Sequence, residues 1–141
     1  MQIRKDIINK YDIIFVQEIR DRSGVTFPAL CKLLPEYKHL ISSRAGRTNS
    51  KENYGVLYKG NIKVKETKDY NPDSEDRWER PPYKVVFKID NYFLNIFNIH
   101  IDPDVAPQEI GELEKLVVNS TGNTLVCGDL NADCKYYSRK K

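Results

Sequence analysis

Three residues that could do chemistry stand just past apolar runs of the length of a buried strand. Glu18, His100 and Asp129 each come within two residues of the end of such a run. Strands hold side chains in fixed geometry, and ligand crevices in sheet-based enzymes form at strand ends. Carboxylates and imidazoles bind metals and transfer protons. Together the three placements favour a functional site at the strand ends more than any one of them does.

Each of these residues also has an ordinary structural interpretation. A Glu or Asp at a strand end is usually a solvated turn residue, and a single His after a strand is more often structural. Asn131 and Asp133, which follow Asp129, suit caps or Asx turns. Residue types and spacing alone therefore leave both interpretations open.

The elements that must position these residues are short strands with a few helices between them. Helical periodicity predicts helices over 1–10, over 27–34 and over 106–117, with Pro107 in the first turn of the last. A charged, proline-containing loop is predicted over 68–82. Strands are predicted at 12–16, 37–43, 53–58, 62–66, 85–89, 93–99 and 123–127. Many strands with few, widely separated helices predict an α/β or α+β sandwich.

The composition is that of an ordinary globular domain. Of 141 residues, 40% are hydrophobic and 30% charged, and no apolar run is long enough to cross a bilayer. The net charge of +3 permits an anionic partner without indicating nucleic acid. Three cysteines, Cys31, Cys127 and Cys134, are too few and scattered for a disulfide framework or a zinc site. Compartment and oligomeric state are not fixed by the sequence.

Five segments of the chain resemble motifs of the endonuclease/exonuclease/phosphatase superfamily, and they occur in the same sequence order as in that superfamily. They cover a strand ending in a metal-binding Glu, a strand carrying a catalytic His, a Gly-Asp-x-Asn element, and two segments typical of the pancreatic deoxyribonuclease branch. The first three are YDIIFVQEIRD at 11–21, NIH at 98–100 and VCGDLNADC at 126–134, and the two of the pancreatic branch are GRTNSKENY at 46–54 and Arg80-Pro81. The resemblance extends from about Asp6 to Tyr137.

The resemblance implies a divalent-metal-dependent phosphodiester hydrolase, and within the pancreatic branch a DNA endonuclease. It implies an α/β (α+β) fold that is part of a four-layered sandwich, with two packed β-sheets flanked by helices. Phosphodiester hydrolysis concentrates negative charge in its transition state, which a hard cation held by carboxylate oxygens neutralises. By resemblance Glu18 is the ligand of Mg2+, with Mn2+ or Ca2+ as alternatives.

The resemblance also assigns roles to four further polar residues. Asp129 would orient or deprotonate the attacking water, and Asn131 would hydrogen-bond a phosphate oxygen without adding charge repulsion. His100 would act as a general acid on the phosphate or the leaving oxygen. Glu52 would pair with this His, because a neighbouring carboxylate favours the charged imidazolium.

Three arginines are candidates for contacts with the DNA backbone, since guanidinium groups suit phosphate oxygens. They are Arg20, Arg47 and Arg80, and an ordinary surface charge is an equally good interpretation of Arg47. Ser50 stands where the pancreatic branch has a Tyr that contacts DNA. Tyr54 and Trp78 are the aromatic residues that could take over that contact.

The extent of the resemblance predicts that residues 1–141 form a single, partial domain. The superfamily's first strand, with an Asn, and its C-terminal part, with a further Asp and an Asp-His pair, have no counterpart. The only histidines are His39 and His100, and His39 matches no motif position. Losing one member of a cooperative acid–base pair costs several orders of magnitude in rate, so a weakly active fragment is expected.

Two other kinds of function, one catalytic and one not, are also compatible with the sequence. Within the superfamily the chain could be a phosphatase on inositol phosphates or lipids, or a nuclease for abasic DNA, although 46–52 and 132–134 favour the pancreatic branch. Outside catalysis it could be a fragment that keeps a DNA-binding or protein-binding face without turnover.

Overall fold

Seven strands and three helices make up residues 5–133, the part of the chain that the computed structural model describes. In chain order they are α1 (Lys5–Ile8), β1 (Ile13–Ile19), α2 (Thr26–Lys32), β2 (Tyr37–Ile41), β3 (Asn53–Lys59), β4 (Lys63–Asp69), β5 (Tyr83–Ile89), β6 (Tyr92–His100), α3 (Ala106–Val118) and β7 (Asn123–Asp129). The longest of these helices, α3, has 13 residues. None of the described helices is long and apolar enough to span a membrane.

The strands form two sheets. The first has the order β1-β3-β2 with antiparallel pairs, and the second has the order β4-β5-β6-β7. Strands β4, β5 and β6 are antiparallel, whereas β6 and β7 are parallel. A parallel pair needs a crossover connection, which α3 provides. In the described sheets β1 and β7, which carry Glu18 and Asp129, lie at edges.

Three apolar clusters join the elements into four layers. The cluster between the sheets is built on β3 and β5, with Val56 and Phe87 fully buried. A second cluster packs α2 against the outer face of the first sheet through Phe27 and Leu57. The third packs α3 against the second sheet through Trp78, Ile99 and Leu113 among others. The order helix, sheet, sheet, helix confirms the predicted α+β sandwich with two packed sheets.

The predicted elements are present, with shifted ends. The helix predicted over 1–10 is described only as Lys5–Ile8, and residues 1–4 lie outside the described part. Strand β4 continues to Asp69 because it pairs with β5 over its whole length, so the predicted loop starts later than residue 68. Cys134 lies outside the described residues.

Candidate active site

A buried contact between the side chains of Glu52 and His100 lies at the centre of the site. Nδ1 of His100 is 3.0 Å from Oε2 of Glu52, and the two residues are only 7% and 2% exposed. Because a carboxylate can only accept, Nδ1 carries the hydrogen and its N–H donates a hydrogen bond to Glu52. Nε2 of His100 has no hydrogen-bond partner among the described residues. Therefore Nε2 is the ring nitrogen that can exchange a proton with a ligand.

Arg80, in the loop before β5, and Tyr54, on β3, hold this pair in place. Nε of Arg80 lies 3.3 Å from Oε1 of Glu52 and donates a hydrogen bond to the carbonyl oxygen of His100. The Tyr54 hydroxyl accepts the backbone N–H of His100 at 3.0 Å and donates to the carbonyl of Arg80 at 3.1 Å. Burial raises the pKa of Tyr54, so this hydroxyl stays protonated as a donor.

Glu52 is held in its ionised form. Burial raises the pKa of its carboxyl, but the hydrogen bond with His100 and the charge of Arg80 outweigh burial, so the pKa lies below its ordinary value. The backbone N–H of Glu18 also donates to Oε2 at 3.0 Å. A buried carboxylate with these partners can hold the imidazole ring of His100 in a fixed orientation.

A bulge at the end of β1 directs Glu18 into solvent. The pairing of β1 with β3 shifts register between Val16 and Ile19, and Glu18 has a φ of 57°. Positive φ is uncommon for residues other than glycine, and bulges re-aim side chains at functional sites. The Glu18 carboxylate is exposed and pairs with Arg20 at 3.1 Å. Its backbone therefore faces the buried pair while its side chain faces outward.

Asp129 and Asn131 form a tight turn at the end of β7. The register of the parallel pair places Asp129 opposite His100. Oδ1 of Asp129 accepts the backbone N–H of Asn131 at 2.9 Å, an Asx turn, and Asn131 has a φ of 45°. Nδ2 of Asn131 donates to the carbonyl of Ile101 at 2.7 Å. Because an amide nitrogen carries two hydrogens, Asn131 keeps one for a ligand.

Gln17 belongs to the segment 11–21 quoted above, but the sequence assigned it no role in the site. Its Nε2 donates to Oδ1 of Asn98 at 2.8 Å and to the carbonyl of Ile99 at 2.7 Å, and its Oε1 accepts the N–H of Asp129 at 3.1 Å. It therefore links the ends of β1, β6 and β7. The sequence signal for a close approach at this place was the glycine directly before Asp129. In the structure this residue, Gly128, has a φ of 141°.

The three predicted arginines have different surroundings. Arg20 and Arg80 lie beside Glu18 and Glu52, as described above. Arg47 is engaged elsewhere, because its guanidinium binds Asp76 at 3.0 Å and Glu79 at 3.5 Å. These bonds raise the pKa of Arg47, chiefly through the hydrogen bond with Asp76.

A basic cavity of about 600 Å³ adjoins the site and was not predicted. Its lining residues are Arg22, Arg44, Asn49 and Lys51. None of the three cations makes an ion pair with a carboxylate of residues 5–133. The cavity lies next to the site because Lys51 precedes Glu52 and because Nη1 of Arg44 donates to the carbonyl of Arg20 at 3.3 Å.

The expectation that Tyr54 or Trp78 could replace a DNA-contacting tyrosine is wrong. Tyr54 is 3% and Trp78 1% exposed. The Tyr54 hydroxyl bonds His100 and Arg80, and the Trp78 indole N–H donates to the carbonyl of Glu109 at 3.0 Å. Both rings lie in the protein interior and make internal hydrogen bonds, so neither is accessible to DNA.

The acidic residues of the site do not form a complete metal cage. Within residues 5–133, no group of three or more His, Cys, Asp or Glu side chains is arranged to hold a metal ion. Glu18 supplies one exposed carboxylate. Such a donor fits an ion like Mg2+, which binds through one or two carboxylates and completes its shell with water and substrate phosphates.

The chain matches one protein family over nearly its whole length. The model of the Endonuclease/Exonuclease/phosphatase family matches residues 5–140. Human deoxyribonuclease gamma is 31% identical over 99% of this chain and 52% of its own length. Chicken deoxyribonuclease-1 is 33% identical over 96% of this chain and 54% of its own length. The chain thus spans about half the length of these relatives.

A solved structure with the same fold supports the architecture. The structure of zebrafish (D. rerio) TDP2 superposes with a TM-score of 0.68 at 13% identity, over 94% of this chain and 52% of that one. At such low identity the similarity shows the fold alone.

Proposed function

Because the chain belongs to the endonuclease/exonuclease/phosphatase family, we propose that it is a divalent-metal-dependent phosphodiester hydrolase that acts on DNA as an endonuclease. The observation that carries the proposal is the buried contact of 3.0 Å between His100 and Glu52. An imidazole held by a buried carboxylate, with its other nitrogen free, is the arrangement needed for general acid catalysis.

In this proposal His100 protonates the leaving oxygen through Nε2, and Glu52 fixes the ring and balances its positive charge. Arg80 and Tyr54 hold both groups in place. Asp129 orients the attacking water or accepts its proton, which its position opposite His100 in the strand register supports. The remaining amide hydrogen of Asn131 donates to a phosphate oxygen.

Glu18 is the residue that would hold Mg2+, or Mn2+ or Ca2+ in its place. When bound, the ion would neutralise charge on the phosphate. The exposure of the Glu18 carboxylate and its position beside the backbone contact to Glu52 support this role. Arg20, paired with Glu18 before the ion binds, would then be free for a phosphate oxygen.

The basic cavity gives a path for the DNA backbone away from the scissile phosphate. Arg22, Arg44 and Lys51 carry positive charge that no carboxylate of the described residues neutralises. A long polyanion releases counterions when it contacts such a surface, which favours DNA over a small phosphorylated substrate. Arg47 is left out of this path because Asp76 and Glu79 hold it.

The names of the relatives also support DNA as the substrate. The two compared above are named deoxyribonucleases, and each is at least 31% identical to this chain. Because the chain spans about half of their length, activity and substrate stay proposals for it.

The test is a comparison of substrates in Mg2+ with the chain as it stands. Supercoiled plasmid and phosphorylated inositols are incubated separately, each with and without EDTA. We expect nicking of the plasmid that EDTA abolishes, and no release of phosphate from the inositols. Phosphate release without nicking would overturn the choice of substrate, and no reaction with either would overturn the proposed activity.

A further inference from the structure

We propose that Gln17 is a positioning residue, which sets the place of Asp129 relative to His100. This inference rests on the proposed function, in which both residues act on the phosphodiester. The side chain of Gln17 leaves β1 and reaches the last residues of β6 and the end of β7. Its amide contacts the residue before His100 and the backbone of Asp129 itself.

The chemistry of these contacts requires an amide. Nε2 faces a backbone acceptor, the carbonyl of Ile99, and Oε1 faces a backbone donor, the N–H of Asp129. Backbone groups cannot exchange donor for acceptor, so the orientation of the Gln17 amide is fixed. Among side chains of this length only Gln offers a donor and an acceptor together. Glu would repel the carbonyl, and Met would make neither bond.

Gly128 provides the room for this contact. A Cβ atom at position 128 would overlap the carbonyl oxygen of Ile99 and also Nε2 of Gln17. The φ of 141° at Gly128 is one that other residues rarely adopt. The close approach of Gln17 and the backbone conformation just before Asp129 therefore depend on the same missing side chain.

The location of Asp129 explains why its position depends on the hydrogen bond with Gln17. It is the last residue of β7, an edge strand in the described sheet, and its side chain is not buried. Its carbonyl accepts the N–H of Ile101 at 2.9 Å, which fixes it to the chain after β6. Gln17 adds the one hydrogen bond from the other sheet that the Asp129 backbone makes among the described residues. Shifts of about 1 Å in a reacting group can cost roughly 100-fold in rate.

Asn95 offers a matched control at the opposite end of the same strands. Its Nδ2 donates to the carbonyls of Thr121 at 2.9 Å and Asn123 at 3.2 Å, so it also ties β6 to the start of β7. The variants are Gln17→Met, Gln17→Glu and Asn95→Leu. Met removes all the bonds of Gln17, whereas Glu keeps the acceptor for the N–H of Asp129.

Two readouts separate positioning from folding and from the proposed function. The first is amide hydrogen exchange of Asp129, followed by NMR, which needs no activity. The second is kcat and KM on bis(p-nitrophenyl) phosphate, a small diester that does not depend on the DNA-binding surface. All variants are first checked for folding by circular dichroism and urea unfolding.

We expect exchange at Asp129 to be fast in Gln17→Met and close to wild type in Gln17→Glu and Asn95→Leu. We expect kcat to fall roughly 10- to 100-fold in Gln17→Met with KM unchanged, to fall less in Gln17→Glu, and to stay near wild type in Asn95→Leu. Unchanged exchange at Asp129 in Gln17→Met, or equal loss of kcat in Gln17→Met and Asn95→Leu, would overturn the inference. If the wild-type chain hydrolyses no diester, the proposed function fails, and the exchange measurement still decides whether Gln17 holds Asp129.

Discussion

Nδ1 of His100 and Oε2 of Glu52 lie 3.0 Å apart in the protein interior, although 48 residues separate them in sequence. Glu52 precedes β3 in the first sheet, and His100 ends β6 in the second. The pair therefore forms only when the two sheets pack face to face. Its geometry links the sandwich directly to the proposed chemistry, because the carboxylate from one sheet orients the imidazole from the other.

Removing the charge of Glu52 should impair the chemical step. In Glu52→Gln the shape of the side chain is kept, but the carboxylate that stabilises the imidazolium is lost. We expect the single-turnover rate of plasmid nicking to fall about 100-fold, with DNA affinity unchanged. Glu66→Gln, an exposed change on β4, is the control and should have no effect. Nicking by Glu52→Gln at the wild-type rate would rule out the proposed role of the pair.

The Tyr54 hydroxyl should stabilise the fold through its two hydrogen bonds, beyond what the packing of its ring contributes. Tyr54→Phe leaves the buried N–H of His100 and the carbonyl of Arg80 without their partner. We expect a loss of about 1–3 kcal/mol in the free energy of unfolding, measured in urea. Tyr58→Phe is the matched control, because Tyr58 is also buried and its hydroxyl makes no hydrogen bond with the described residues. Equal losses in the two variants would contradict the bracing role of Tyr54.

The basic cavity should contribute to DNA affinity through its charge. Replacing Arg22, Arg44 and Lys51 together by Ala should weaken binding of a labelled duplex, measured by fluorescence anisotropy in EDTA. Each phosphate contact contributes about 0.9 to the slope of log affinity against log salt. We therefore expect the slope to become shallower by roughly 2–3.

A second triple variant controls for net charge. Lys63, Lys65 and Lys88 are exposed on β4 and β5, across the second sheet from β7. Replacing them by Ala removes the same charge and should change the slope little. Equal effects of the two triple variants would show that net charge, and not the cavity, determines binding.

The Cys127 thiol should report whether β7 is docked. It packs against the cluster between the sheets, and burial raises its pKa to about 11. At pH 8 about one molecule in a thousand carries the thiolate, so alkylation by iodoacetamide should be slow and should rise steeply with pH. The measurement uses a Cys134→Ser background with peptide mapping to separate Cys127 from Cys31. Alkylation at pH 8 as fast as that of an unfolded chain would show that β7 is not held in place.

Much of the fold was predictable because its signals are local. Apolar runs such as 53–58 lie in strands, and the periodicity of 106–117 predicted α3, whose role as the crossover between β6 and β7 only the structure showed. The pairing of Glu52 with His100 came from the resemblance of motifs, not from spacing. No local pattern could place Gln17 against Asp129, since 112 residues separate them and the contact depends on sheet packing. The burial of Trp78 was missed for the same reason, because its partner Glu109 lies on α3.

The most direct test of the central claim compares the two histidines of the chain. Wild type, His100→Ala and His39→Ala are incubated with supercoiled plasmid in Mg2+ and in EDTA. His39 is exposed on β2, with its ring against Phe27, and is the control. We predict metal-dependent nicking that falls at least about 100-fold in His100→Ala and stays unchanged in His39→Ala. Nicking that survives in His100→Ala at the wild-type rate would contradict the assignment of this site as the catalytic centre.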